Sequence, residues 1–172
     1  MSTPQKVAVL NKDDQLVVVD VIDEEREFIS DPVHNIDTSK PTIYLCGGFY
    51  GDWNDKIKEA VGLSSNILDP RDWRNIKDAD RYVTLDLDAI DKADIVFAYR
   101  QKDNPAVGLL CEIGYAFGRG KTIYFVGEYE NSRTERYYGF PRIMSDMIYD
   151  TVDDALEDLQ EAIHEWTEDN LG

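Results

Sequence analysis

The sequence predicts an α/β fold: a five-stranded parallel sheet with helices on both faces, preceded by an N-terminal β-hairpin extension. Two observations carry this. The strand candidates are short, nearly unbroken apolar runs, as expected of strands buried on both faces. Segments of helical length separate them, so each strand connects to the next by a crossover rather than a tight turn.

The elements follow in order. Lys6–Leu10 and Gln15–Val21 are β-branched runs around the polar turn Asn11-Lys12-Asp13-Asp14, which reads as a hairpin. Residues 23–41 are acidic and irregular and read as a connector, so residues 1–41 form an extension and 42–172 the main domain. Thr42–Cys46 opens the sheet and stops at Gly47-Gly48, and a helix is expected over about Trp53–Leu63. Asn66–Leu68 is a second strand closed by Asp69-Pro70-Arg71, followed by a helix over about Ala79–Lys92. Asp94–Tyr99 is a third strand, and the loop Arg100–Pro105 leads into a helix from about Val107 to Arg119. Lys121–Val126 and Met147–Tyr149 complete the sheet before an amphipathic final helix.

Composition narrows the function. The chain has 172 residues, 42% of them apolar, enough for one domain with a real core. Its net charge of −17, from 35 acidic against 18 basic residues, opposes nucleic-acid binding, which needs a basic stripe to neutralise phosphates. Cys46 and Cys111 form no CxxC pair and His34 and His164 lie far apart, so neither a zinc site nor a disulfide scaffold is expected. No apolar run is long enough to span a membrane and no secretory signature opens the chain, so a cytoplasmic location is expected.

In parallel sheets of this kind ligands bind beyond the carboxyl ends of the strands. That rule selects Gly47–Trp53, Asp69–Arg74, Arg100–Glu112 and Gly127–Phe140. Gly47 and Gly48 permit a sharp turn and close backbone approach, with Phe49 available to stack on a flat base. The stretch is neither GxGxxG nor GxxxxGK[ST], which disfavours a dinucleotide site and a P-loop. Within the apolar helix after strand three, Gly108, Glu112 and Ala116 share one face. A lone glutamate among Leu, Cys, Ile and Tyr must be paired, face a cleft or carry a raised pKa. It is either a functional carboxylate or a helix-edge residue reaching water. Asp86 lies beside the core face of the preceding helix, as a possible second carboxylate or a surface residue. Arg71 is either a clamp for phosphate or base or a salt bridge to the abundant acid.

Three stretches together resemble the nucleoside 2-deoxyribosyltransferase family: Thr42-Ile43-Tyr44-Leu45-Cys46-Gly47-Gly48-Phe49, Leu85-Asp86-Leu87-Asp88-Ala89-Ile90, and Val107-Gly108 through Glu112-Ile113-Gly114-Tyr115-Ala116-Phe117-Gly118. The resemblance covers roughly residues 42–150 and implies a flavodoxin-like, doubly wound sheet. It implies cleavage of the N-glycosidic bond of deoxynucleosides and transfer of the sugar to another nucleobase, without metal or organic cofactor. It maps the nucleophile onto Glu112, the tyrosine that positions it onto Tyr44, and the base-contacting aspartate onto Asp86. Its partners would be small-molecule nucleosides and nucleobases, and the protein a homo-oligomer with shared active sites. The chain departs from the pattern in three places. Ala106 stands where the transferases carry an acid, a gap that Asn104 or Asp103 would have to fill. Tyr138 stands where a neighbouring subunit supplies an amide to the 5′-hydroxyl, and the C-terminal aromatic is missing. A hydrolase of nucleosides or of their 5′-monophosphates is the nearest alternative, although Gly48 and Tyr50 occupy the places of its phosphate donors. A non-catalytic nucleotide-sensing module is the second.

Overall fold

The computed structural model describes residues 5–10, 16–21, 33, 36–104 and 106–171, and divides the chain after Asp31. In the first unit, β1 (Gln5–Leu10) pairs antiparallel with β2 (Leu16–Val21), from Gln5 opposite Val21 to Leu10 opposite Leu16. This is the expected hairpin. The connector expected over 23–41 lies largely outside the described residues.

The second unit contains the sheet. Its strands are β3 (Thr42–Gly47), β4 (Asn66–Leu68), β5 (Ile95–Arg100), β6 (Thr122–Gly127) and β7 (Met147–Tyr149). They lie in the order β4-β3-β5-β6-β7 and every pairing is parallel. The chain steps outward from β3 to β4, then returns to the other side of β3, so strand order reverses between β3 and β5. This is the flavodoxin-like order, with its ligand crevice expected at that reversal.

Alternation along the strands sorts the core into two layers. Ile43, Leu45, Phe97, Tyr124 and Val126 face α1 (Trp53–Val61) and α6 (Val152–Leu171), against Ile57, Val61, Leu159 and Ile163. Tyr44, Cys46, Val96, Ala98, Ile123 and Phe125 face the opposite way, toward α2 (Ala79–Lys92) and α3 (Val107–Gly118), against Ala89, Ile90, Leu109, Ile113 and Ala116. The helices sit close to their predicted limits. Asp78 caps α2 by accepting from the Asp80 N–H, and α2 stops at Ala93, whose extended backbone feeds β5. Gly120 follows α3 at φ +68°, a left-handed turn that ends a helix at little cost in glycine. The segment between β6 and β7 holds two short helices the sequence did not reveal, α4 (Ser132–Tyr137) and α5 (Gly139–Met144). Asn131 starts α4 by accepting from the N–H groups of Arg133 and Thr134, each at 3.0 Å.

Candidate active site

The site grows from β3. Because Tyr44 and Cys46 are two residues apart, both side chains leave the same face of the sheet, toward α3. Both are fully buried. There they meet Glu112, one and a half turns into α3. The Tyr44 hydroxyl donates to Glu112 Oε1 at 3.2 Å, and the Cys46 thiol donates to Oε2 at 2.7 Å. The two donors thus take different oxygens of one carboxylate.

Asp86 comes to the same place from α2. Trp73, one residue beyond the short 3₁₀ turn Pro70–Asp72 and itself buried, donates its indole N–H to Asp86 Oδ1 at 2.7 Å. Asp86 and Glu112 both line a cavity of about 300 Å³ beyond the ends of β3 and β5, where the reversal of strand order predicts a ligand. Gly47, Phe49, Pro70, Trp73, Arg74, Ile76, Tyr82, Ala106, Gly108 and Leu109 form the rest of its wall. The volume is at the lower end for small-molecule sites, and the wall is apolar and aromatic with a few convergent polar groups.

Among the described residues no cation forms an ion pair with either carboxylate. Burial pushes the Glu112 carboxyl above the usual carboxylate range; the Cys46 thiol pulls it down, the charge of Asp86 pushes it up, and the Tyr44 hydroxyl pulls it down again. Burial also raises Asp86, against hydrogen bonds from Trp73 and Tyr44. Burial first, and then the charge of Glu112, push Tyr44 and Cys46 well above their ordinary values, so both remain protonated donors near neutral pH. Two carboxyls facing one cavity with raised pKa values share protons more readily than they both ionise. Such a pair can supply one carboxylate and one acid at the same pH.

Two glycines make room. Gly47 has φ +155°, and a Cβ there would lie 2.5 Å from the Tyr99 carbonyl oxygen, so the close approach of β3 to β5 at the cavity mouth requires glycine. A Cβ at Gly108 would sit 3.9 Å from Glu112 Oε1, in ordinary contact with the protein but projecting into the cavity. The loop before α3 holds Asp103 at φ +62° and Ala106 at φ +40°, a left-handed conformation that side-chain-bearing residues adopt at a cost. Ala106 carries that conformation in the cavity wall itself.

Of the ten site residues expected from sequence, Glu112, Asp86, Gly47, Phe49 and Gly108 line the cavity, and Tyr44 lies directly behind Glu112. Four lie elsewhere. Arg71 binds Asp55 at 2.6 Å and Asp69 at 2.8 Å on the α1 side of the sheet, which is the salt-bridge alternative. The space above Gly48 is filled by Asn104, whose Nδ2 lies 1.8 Å from where a Gly48 Cβ would be, so these two pack on each other beside the cavity. Asn104 Oδ1 accepts from the Ala106 N–H at 3.0 Å and so shapes the loop rather than entering the pocket. Within the chain Tyr138 is buried, its ring 4.9 Å from the Arg100 guanidinium carbon and 5.8 Å from the Tyr129 ring.

Sequence reasoning missed Cys46, Trp73, Arg74 and Tyr82. Cys46 was within reach, since the period of two puts it beside Tyr44. Trp73 and Arg74 close the segment Asp69–Arg74, in which the sequence points to Arg71, whereas Arg74 is the arginine that lines the cavity. Tyr82 lies in the first turn of α2, where nothing in the pattern separates a cavity wall from a surface.

The nucleoside 2-deoxyribosyltransferase family model matches residues 43–151, more than half of the chain. No curated protein sequence matches. Among solved structures, a 2-deoxyribosyltransferase of Leishmania mexicana superposes with a TM-score of 0.55 at 20% identity, over 70% of this chain and 97% of its own. A 2-deoxyribosyltransferase of Bacillus psychrosaccharolyticus does so with a TM-score of 0.53 at 20% identity, over 67% of this chain and 90% of its own.

Proposed function

The chain belongs to the nucleoside 2-deoxyribosyltransferase family, a family of enzymes, and from that premise we propose that it moves 2-deoxyribose between nucleobases through an ester on Glu112. The observation that carries the reading is the cavity-facing carboxylate with two neutral donors behind it and a second carboxyl across from it.

The chemistry balances as follows. A Glu112 oxygen forms a bond to C1′ of the deoxynucleoside while the C1′–N bond breaks, through a transition state with oxocarbenium character. The bonding pair leaves with the base, which takes the proton held by Asp86. A second base then attacks C1′, returns a proton to Asp86 and releases the Glu112 carboxylate. Of the microstates the pair can adopt, the productive one has its proton on Asp86, which leaves Glu112, held by the Tyr44 hydroxyl and the Cys46 thiol, free to attack as the carboxylate. Phe49, Trp73 and Tyr82 offer the leaving base flat apolar surface. No step calls for a metal or an organic cofactor, and the described residues hold no cluster of three or more His, Cys, Asp or Glu arranged for a metal.

A second reading, hydrolysis of a nucleoside or its 5′-monophosphate, is favoured by Arg74, the cation among the lining residues. A guanidinium there offers donors to a phosphate or to the oxygen edge of a base. One experiment separates the readings. The protein is incubated with deoxyinosine or thymidine, with and without a second free base, and with the corresponding monophosphates, and products are followed by chromatography. A new nucleoside, absent in Glu112→Ala, is the expected result. Free base without exchange replaces transfer by hydrolysis, and turnover at wild-type rate in Glu112→Ala overturns the mechanism.

Assembly belongs to the same proposal. The outer side of α3 exposes Val107, Leu110 and Phe117, and α5 beside it exposes Phe140 and Ile143. Large apolar side chains exposed on two neighbouring helices are the kind of patch that marks an interaction surface, and they support a homo-oligomer. Sedimentation should give a species of at least twice the 19.7 kDa chain mass; a single monomeric species at micromolar concentration would reject this part. Among the described residues no helix is long and apolar enough to cross a membrane. A cytoplasmic location is retained as part of the proposal, to be read by fractionation of cells expressing the chain.

A further inference from the structure

We propose that the Cys46 thiol is a positioning residue that anchors one oxygen of the Glu112 carboxylate and leaves the other to attack the sugar. This rests on the reading of Glu112 as the nucleophile.

The argument begins with geometry. Tyr44 and Cys46 leave β3 on the same face and reach different oxygens, Oε1 at 3.2 Å and Oε2 at 2.7 Å. The two oxygens are therefore not equivalent. Oε1 lies beneath Gly108, 3.9 Å from the point where a Cβ would project into the cavity. Oε2 is turned inward, against the buried thiol. Division of labour follows: Oε2 is the anchored oxygen, and Oε1, held at longer distance by Tyr44, is the one with a lone pair available to C1′.

A buried cysteine in a strand is ordinarily a small apolar filler with a weak donor. Cys46 does sit within the apolar layer between the sheet, α2 and α3. Its surroundings nevertheless leave the thiol hydrogen little choice. The other acceptor within reach is the Leu109 carbonyl, at 4.0 Å, and the carboxylate is both nearer and charged. A charged acceptor at this depth gains more from a donor than a neutral one does.

Among the described residues the groups facing Glu112 are few. From β3 come Tyr44 and Cys46, and from α2 comes Asp86; Arg74 lies in the wall of the same cavity, and β5 presents apolar Val96 and Ala98. Cys46 is the strongest of the two neutral groups that oppose the effect of burial on Glu112. The thiol keeps its proton throughout the reaction, so the step is the one already written. Oε1 bonds to C1′, the C1′–N pair leaves with the base, Asp86 supplies the proton, and sulfur is neither oxidised nor alkylated.

The test compares Cys46→Ala with Cys46→Ser. A filler and a donor rank these variants oppositely, because alanine suits an apolar site better and serine replaces the donor. Two readouts are taken in the intact protein: the pH profile of kcat/KM with the best deoxynucleoside, and the titration of the Glu112 carboxyl followed by carbon NMR. In Cys46→Ala, kcat should fall roughly tenfold or more with KM within about twofold, and the acid limb of the profile should move to higher pH. The Glu112 carboxyl should titrate at higher pH as well. Cys46→Ser should restore the limb, the titration and most of kcat. A Glu112 titration that does not move in Cys46→Ala, or a serine variant no better than alanine on both readouts, overturns the proposal. If the wild-type protein turns over no nucleoside, the proposed function fails on its own account, and the carboxyl titration still decides whether Cys46 holds Glu112.

Discussion

Asp69 and Glu112 are both carboxylates withdrawn from water near the carboxyl edge of the sheet, and the fold treats them in opposite ways. Asp69, just past β4, is fully buried and meets cations: Lys58 Nζ of α1 at 2.8 Å and Arg71 Nε at 2.8 Å, besides the Arg71 N–H at 3.0 Å. Burial pushes its carboxyl up, but Arg71 and Lys58 together overrule it and hold it below the usual range. Glu112, on the other side of the same sheet, receives a phenol and a thiol among the described residues, and burial wins. The first arrangement ties β4 to α1. The second leaves a carboxylate that is positioned but not neutralised, which is what a nucleophile or an acid needs.

The contrast is sharpened most by Asp69→Asn. The substitution removes the charge facing Lys58 and Arg71 and should cost about 1–3 kcal/mol, the range for stripping a partner from a buried polar group. Because the folded pKa of Asp69 is depressed, its contribution is present above the unfolded value of about 4 and is lost as pH falls through the folded value. Urea melts of wild type and Asp69→Asn should therefore differ at neutral pH and converge in acid. A difference that stays constant to acid pH would mean that Asp69 acts through packing and that the contrast with Glu112 is not electrostatic. Catalytic constants of the folded variant should change little, since Asp69 and Arg71 face α1 and not the cavity.

The same contrast explains what could be read from the sequence. The strands and long helices were legible because their apolar periodicity is strong: Ile43, Leu45 and Phe97 on one layer, Tyr44, Cys46 and Val96 on the other. The short helices α4 and α5 were not, since six residues carry too little periodicity and their starts depend on Asn131 and on packing under Arg100. Arg71 and Arg74 differ by three residues in a polar segment. Only the 3₁₀ turn, which sends one toward α1 and leaves the other at the cavity, distinguishes them. Arg100 ends an apolar strand, and its burial against Glu130, Tyr129 and Tyr138 is a tertiary event with no local signal. Glu112 lies 68 residues from Tyr44 and 66 from Cys46. The residues alone left Glu112 and Asp86 as open alternatives between function and surface, and the resemblance supplied the assignment of roles.

The smallest expected effect is also the one that reverses sign. Glu112→Gln removes a carboxyl whose folded pKa is raised, so the change should stabilise the protein, by roughly 0.5–2 kcal/mol as is usual when an active-site cost is relieved. The sign follows from proton binding. A raised carboxyl binds more protons folded than unfolded, so its stability is fully present below the unfolded value of about 4.3 and is lost as pH rises through the folded one. The gain from glutamine is therefore near zero in acid and grows toward neutral pH, the mirror image of the Asp69→Asn loss. Asp86 contributes to that growth, since its charge is what glutamine no longer has to oppose. Melting curves of Glu112→Gln between acid and mildly alkaline pH measure it directly. A variant less stable than wild type at neutral pH would show that the hydrogen bonds from Tyr44 and Cys46 more than compensate the buried charge. Glu112 would then be held as firmly as Asp69, and the division between a scaffold side and a reactive side would have to be drawn from the cavity alone.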